Sequence, residues 1–245
     1  MEKKIFVVGI GPGNSEYMTP QARQAIAESD VVVGYDLYVE LVKDLCQGKV
    51  VKSTAMKKEV DRCKLALDSA LAGNKVAFVC SGDAGVYGMA GVMSEVAADH
   101  PQVEIVTVPG ITAACSGAAV LGAPLIHDFA VISLSDLLTP WRDIEKRLDL
   151  AAQADFVICI YNPKSKKRHD YIDKAANIVS RSRGWDTACG YVKNIGRQGE
   201  QGVVCTLKDL IENDDIDMFT TVFIGKSTTR VINGKLVTPR GYRNV

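Results

Sequence analysis

The segment "KVAFVCSGDAGVYGMAG" (residues 75–91) decides how this chain is read. Its first part, Lys75-Val76-Ala77-Phe78-Val79-Cys80, is an apolar run without alternation, the pattern of a strand covered on both faces. Ser81-Gly82-Asp83 ends that run abruptly, and Gly85, Gly88 and Gly91 follow. Ligands of open α/β sheets bind outside the carboxyl ends of the strands. A carboxylate at such an end has two uses. Asp83 can cap the helix that follows by accepting backbone N–H groups. With Gly82, Ala84 and Gly85 clearing space around it, it can also face a ligand that carries amines or hydroxyls.

Working outward, strand-like runs are expected at 4–9, 30–34, 75–81, 103–108, 129–134, 155–161, 187–193 and 220–225. Between them "TPQARQAIAES" (19–29), "EVDRCKLALDSALAG" (59–73), "VYGMAGVMSEVAADH" (86–100) and "KRHDYIDKAANIVSRS" (167–182) carry helical spacing of apolar residues. Gly73 stands where a helix commonly stops. The alternation argues an α/β fold. Gly122 and Pro124 interrupt a small-residue helix just before a second strand series begins. Two α/β domains, 1–122 and 123–245, are therefore expected, with a short hinge within 120–128. Asn233-Gly234 between apolar runs predicts a hairpin with a two-residue turn.

The chain has 245 residues, 47% hydrophobic and 24% charged, the composition of an ordinary globular protein. The formal net charge is +0, so no whole-chain field favours nucleic acid. Seven cysteines form no CxxC pair and most lie in apolar runs, which suggests small buried hydrophobes, neither a disulfide framework nor a zinc site. No apolar run approaches membrane-spanning length and the first residues lack a secretory h-region, so no membrane partner and a cytoplasmic location are expected.

Other strand ends repeat the pattern. "VVGIGPG" places Gly9, Gly11 and Gly13 after a strand, but Asn14 stands where a dinucleotide fingerprint needs its third glycine, and Pro12 stiffens the loop. "VPGITAACSGAAVLGAP" (108–124) runs from a strand through Pro109-Gly110 to Thr112 and Ala113 at a helix start. The small residues of that helix, Ala118 and Ala119 among them, permit close packing. "YNPKSKKRHDY" (161–171) ends another strand in a turn followed by Lys164, Lys166, Lys167 and Arg168. As a charge run it reads as a solvated face or as a patch for an anionic substrate. Lys193 and Arg197 follow a further strand, with Gly196 and Gly199 beside Arg197. Of His100, His127 and His169, none has metal-ligand spacing. His127 lies at the expected hinge, where a hydrogen-bonded structural role is the simpler reading.

Taken together, "VGIGPG", "SGDAGVYG", "VPGITAA" and the strand-end "YNP" resemble, in order, the tetrapyrrole (corrin/porphyrin) methylases, over essentially the whole chain. "GYDLY", "YNPKSKKR", "GRQGE", "TTVFIGKSTTR" and "TPRGY" are similar to the branch that methylates C17 of precorrin-3B or cobalt-factor III. The resemblance implies two α/β domains with mixed sheets, the class III methyltransferase architecture, and an active site in the cleft between them. It implies S-adenosylmethionine as methyl donor, bound by Ser81, Gly82, Asp83, Val86, Tyr87, Thr112, Ala113, Tyr161 and Asn162, with Ala188 and Thr221 as further contacts. Pro12 joins that set, its loop facing the tetrapyrrole. Relatives carry Met-Gly where this chain has Asn162-Pro163, and Gly-Asp-Pro where it has Gly82-Asp83-Ala84.

The implied substrate is a reduced tetrapyrrole with carboxylate arms, and the implied assembly a homodimer. Lys164, Lys166, Lys167, Arg168 and Arg197 are candidate carboxylate clamps, Arg197 foremost because guanidinium binds carboxylate bidentately. His127, Lys193 and Arg197 are the expected catalytic residues, Asp36 and Asp136 further proton-transfer candidates for the ring contraction linked to this branch. No protein-bound metal is expected, though the substrate can carry cobalt. The alternatives are a precorrin-4 C11-methyltransferase, a diphthine synthase, an rRNA methyltransferase or a nucleotide-binding module without transfer chemistry.

Overall fold

The computed structural model describes residues 3–242 and divides into two compact units, Met1–Thr112 and Ala113–Val245. In the first, β1 (Lys4–Gly9), α1 (Pro20–Ala27), β2 (Val31–Tyr35), α2 (Asp36–Leu41), β3 (Val50–Thr54), α3 (Glu59–Leu71), β4 (Lys75–Cys80), α4 (Ala90–Val96) and β5 (Glu104–Val108) follow in turn. The five strands form one sheet in the order β3-β2-β4-β1-β5, every pair parallel.

Alternate residues of these strands feed two cores. Ile5, Val7, Val76 and Phe78 pack with Cys63, Leu67 and Met93 of α3 and α4. Phe6, Val8, Ala77 and Val79 pack with Ala22 and Ile26 of α1 on the other face. Burial on both faces explains why the strands read as continuous apolar runs. Fully burying a side chain such as Phe78 contributes about 1.5–3 kcal/mol. The helices α1 and α4, which follow the neighbouring strands β1 and β4, lie on opposite faces of the sheet. Ligands of such sheets are held at the carboxyl edge, beside this change of face.

The second unit comprises α5 (Ala113–Leu121), β6 (Gly122–Ala123), β7 (Phe129–Ser133), α6 (Trp141–Gln153), β8 (Val157–Tyr161), α7 (Tyr171–Ser180), β9 (Ala188–Lys193), β10 (Gln201–Thr206), β11 (Thr220–Ile224), β12 (Arg230–Ile232) and β13 (Lys235–Val237). Its main sheet has the order β10-β9-β11-β8-β7, with only β7 and β8 parallel neighbours. The pairings place the carboxyl ends of β7, β8 and β9 at one edge, beside the start of β11. Ile144, Leu148 and Ile172 of α6 and α7 cover one face. Ala114, Ala118 and Leu121 of α5 cover the other. A β-carbon on Gly117 would lie 2.9 Å from Phe223, and one on Gly190 the same distance from Leu121, so glycine brings α5 and the sheet together. Ala118 is buried as close packing requires, whereas Ala119 is exposed and takes no part in it.

At the far end of this sheet Arg183 donates to the carbonyls of Ala151, Ala152, Phe156 and Gly225, tying the close of α6 to the entry of β8 and the exit of β11. β12 and β13 form the expected hairpin, with Asn233 and Gly234 both at positive φ, 50° and 74°.

Several elements depart from expectation. The division falls at Thr112/Ala113, ahead of 122/123, because α5 packs on β9, β10 and β11. The edge strands β3 and β10 are additions, being part exposed and less apolar than the central ones. The helices α2 and α6 are additions too, although Ile144, Leu148 and Ala151 of α6 carry the helical spacing. The helix expected over 86–100 starts only at Ala90, behind an irregular glycine-rich loop. Five of the seven cysteines are buried; burial pushes the Cys80 thiol up to about 12 and Cys63 to about 11, so these two are inert fillers. Cys205 is half-buried and Cys115 is exposed on α5.

Candidate active site

In the first unit the loops after β1, β4 and β5 interlock through backbone. Gly11 N–H donates to the Gly82 carbonyl at 3.1 Å and Gly82 N–H returns a bond to Gly11 at 2.8 Å. Gly9 and Gly110 leave no room for a side chain. A β-carbon on Gly110 would lie 2.1 Å from the Gly82 oxygen, and one on Gly9 would lie 2.8 Å from the Gly110 nitrogen. These two glycines serve backbone packing. Gly82 differs: its φ is +70°, and the nearest atom to an added β-carbon is Thr112 Cα at 3.9 Å, so this position opens onto space.

Asp83 is the fastener of the junction. Its Oδ1 accepts from Gly85 N–H (2.8 Å) and Val86 N–H (3.0 Å), and its Oδ2 accepts from Gly110 N–H (2.9 Å). The carboxylate thus closes the 82–86 turn and ties it to the loop after β5. The capping role considered for Asp83 is realised on this turn, since α4 begins only at Ala90. Val86 and Tyr87 project from the turn, 38% and 58% exposed, and Tyr87 is held at φ 51°. A non-glycine residue held there costs of order 1–3 kcal/mol, and such outliers cluster at ligand-binding segments. Pro12 is buried in the loop after β1. The carboxyl edge of this unit therefore gathers Pro12, Ser81, Gly82, Asp83, Val86, Tyr87 and Thr112.

In the second unit the ends of β7 and β8 carry a second cluster. Tyr161 Oη accepts from Ala114 N–H at 2.7 Å, meeting one of the unpaired amides at the start of α5. Asn162, at φ 52°, donates through Nδ2 to Ser133 Oγ at 2.9 Å. Asparagine tolerates this conformation. At the end of β9, Lys193 Nζ lies 2.9 Å from Asp217 Oδ2, and Thr220 and Thr221 start β11 alongside. The hydrogen bond that Lys193 donates to Asp217 holds its ammonium above the ordinary pKa, so Lys193 is a fixed cation at neutral pH and no base. Ala113, Tyr161, Asn162, Lys193 and Thr221 thus share one edge. Ala188 does not: it starts β9 and pairs with Thr206 at the opposite end of the sheet.

A family model described as tetrapyrrole (corrin/porphyrin) methylases matches residues 4–211. The chain belongs to the tetrapyrrole methylases. This methylase is 46% identical to a Salmonella typhimurium protein named as a cobalt-factor III C17-methyltransferase, over 97% of this chain and 99% of that one. It is 47% identical, over 99% of its length, to a Priestia megaterium protein named cobalt-factor III methyltransferase, but spans only 46% of that longer protein. Among solved structures, that of the methyltransferase CobJ matches with a TM-score of 0.90 at 36% identity, covering 96% of this chain and 99% of that one. A Thermus thermophilus uroporphyrin-III C-methyltransferase complexed with S-adenosylhomocysteine matches with a TM-score of 0.73 at 25% identity, covering 91% and 97%.

The remaining expected residues of the methylase fall apart by role. His127 is exposed, with Nε2 3.2 Å from the Pro239 carbonyl, so that nitrogen carries the proton and donates. This is the structural arrangement, and His127→Ala is expected to leave the pH–rate profile of methyl transfer unchanged; a profile that loses one limb on substitution would restore His127 as a catalytic candidate. Asp36 is exposed at the start of α2. Arg197 is half-buried in a turn where Glu200 Oε2 accepts from Gly196 N–H at 2.7 Å. Among the described residues no group of three or more His, Cys, Asp or Glu could hold a metal, and no helix is long and apolar enough to cross a membrane.

The acidic segment 212–217 was not singled out in the sequence. Lys164 donates to the Asn213 carbonyl at 2.7 Å and Lys193 to the Asp215 carbonyl at 3.3 Å, so one expected substrate clamp and one expected catalytic residue are engaged by it. The charge pattern "ENDDID" against two strand-end lysines was the available signal.

Proposed function

We propose that this methylase transfers a methyl group from S-adenosylmethionine to C17 of cobalt-factor III, with the associated ring contraction, in the synthesis of a corrin. The observation that carries the reading is the 46% identity with the Salmonella protein across nearly the full length of both chains. The match to a structure complexed with S-adenosylhomocysteine supports the donor. So does the first unit's carboxyl edge. Open space at Gly82 beside exposed Val86 and Tyr87 suits a flat adenine and a short aliphatic chain.

The donor set proposed is Pro12, Ser81, Gly82, Val86, Tyr87, Thr112, Ala113, Tyr161, Asn162 and Thr221. Asp83 acts through the turn it closes, and Ala188 is left out by its place on the sheet. S-adenosylmethionine supplies an electrophilic methyl on a sulfonium. The ring carbon forms the new C–C bond as the C–S bond breaks, in line, and needs little proton abstraction to attack. The chain's task is then to hold the reactants aligned and to exclude water, which can lower a barrier by roughly 7–11 kcal/mol in the best-oriented cases. Lys193, kept charged by Asp217, and Arg197 present fixed positive charge to carboxylate arms rather than a base. A homodimer and a cytoplasmic location complete the proposal.

The test is incubation with methyl-labelled S-adenosylmethionine and either cobalt-factor III or metal-free precorrin-3B, with mass and NMR analysis of the product. Label at C17 of the cobalt substrate is expected. Label at another ring carbon, or turnover of the metal-free ring alone, would overturn the assignment.

A further inference from the structure

Two loops at the carboxyl edge of the second unit are built as a pair. After β8, Ser165 N–H donates to the Arg168 carbonyl at 3.2 Å and Arg168 N–H returns a bond to Ser165 at 3.0 Å, a tight turn with Lys166 and Lys167 at its tip. Both shoulders are anchored. Lys164, its side chain 15% exposed, reaches the Asn213 carbonyl and lies 3.9 Å from Asp214. Arg168, also 15% exposed, donates through Nη1 to Ser135 Oγ at 3.0 Å and to Asp136 Oδ1 at 3.4 Å. Tyr171 Oη donates to Asp136 Oδ2 at 2.6 Å.

Ser135 and Asp136 belong to the loop after β7, and the next two residues are Leu137, 67% exposed, and Leu138, 98% exposed. The same bonds therefore fix two tips side by side, one of two exposed leucines and one of two exposed lysines. Asp136 is occupied by Arg168 and Tyr171, so its charge is spent on the anchor. The base of the pair continues into the Asn162–Ser133 bond at the ends of β8 and β7. Two adjacent exposed leucines beside two exposed lysines, on loops anchored at Lys164 and Arg168, form an apolar and cationic pair of tips.

We propose that these tips form a substrate lip, with Leu137 and Leu138 lying against an apolar macrocycle and Lys166 and Lys167 holding its carboxylate arms. The inference rests on the tetrapyrrole substrate proposed above, whose flat apolar body and anionic rim match the pair of tips in shape and charge. Arg168 and Lys164 are positioning residues, bonded to protein rather than to substrate. The four tip residues are exposed, so changing them leaves the fold intact.

The full-length protein with S-adenosylhomocysteine bound is titrated by fluorescence with uroporphyrin III and with its methyl ester, which lacks the charges. The double substitution Lys166→Glu, Lys167→Glu is expected to weaken uroporphyrin binding at least about tenfold and to leave the ester nearly unchanged, since rim charges act on charged ligands and are screened by salt. Leu137→Ser with Leu138→Ser is expected to weaken both by roughly three- to tenfold through lost apolar contact. Neither pair should change S-adenosylhomocysteine affinity. If both variants bind uroporphyrin as the parent does, the lip is wrong while the tetrapyrrole reading stands. If the parent binds neither macrocycle, the lip fails, while the tetrapyrrole reading is decided by the labelling of cobalt-factor III. A change of oligomeric state in sedimentation on altering the leucines would assign the tips to a contact between copies and overturn the lip.

Discussion

Gly110→Ala is expected to destabilise the first unit by about 3 kcal/mol or more, the upper end for overpacking by one methyl. The reason is what stands in the way. The added carbon would sit 2.1 Å from the Gly82 oxygen and 2.6 Å from the Gly9 carbonyl, both backbone, so no rotamer change relieves it. Relief requires three strand-end loops to separate, and with them the Gly11–Gly82 and Asp83–Gly110 bonds. Urea denaturation of the ligand-free protein checks this against two controls. Gly82→Ala has room for its carbon and suffers only its positive φ, a cost of roughly 1–2 kcal/mol. Gly91→Ala, in α4 with nothing near, is expected to be neutral or slightly stabilising. A Gly110→Ala midpoint equal to that of Gly91→Ala would mean the junction is looser than its distances.

Asp83→Asn should reduce S-adenosylhomocysteine affinity by about ten- to a hundredfold and lower the stability of the ligand-free protein as well. Asparagine keeps one acceptor oxygen and turns the other into an amide donor. Whichever way it is flipped, that donor faces N–H groups: Gly110 on one side, Gly85 and Val86 on the other. Leaving a buried or half-buried N–H unmet costs about 1–3 kcal/mol, and each 1.4 kcal/mol passed on to the bound state is tenfold in affinity. The ligand-free measurement separates the possibilities. A carboxylate that only touched the donor would leave the melting of the ligand-free protein unchanged on substitution. A fastener lowers it. Calorimetric titration and thermal melting on the same sample give both numbers.

What the sequence made legible follows the range of the interactions. The β4 run, the Gly82 turn and the Asn233-Gly234 hairpin are local: their signals lie within a few residues of the structure they produce. That Asp83 would be tied to Gly110, and that the space at Gly9 would be filled by backbone, depends on which strands become neighbours, and no window of the chain displays that. The same holds for the charge run 164–168. Within the run the sequence offered four cations with nothing to divide anchors from tips, and only the fold separates Lys164 and Arg168 from Lys166 and Lys167. Ala188 shows the converse. It lies in the right strand, but the strand's direction puts it at the wrong end. The helix α6 was readable from its spacing, whereas the edge strands β3 and β10, wetted on one side, lacked the unbroken apolar run that marks their neighbours.

The place of β1 carries a consequence for how the chain is made. Lys4 begins a strand flanked by Lys75 on one side and Glu104 on the other, so β1 gains one partner only once β4 has been synthesised and the second only after β5. Until Cys80 has been made, "IFVVG" has no ladder to join. Parallel pairings of such long sequence separation form slowly. Refolding from denaturant should therefore be governed by the closing of β5 onto β1, and nascent chains stalled before Glu104 should be the species that chaperones hold.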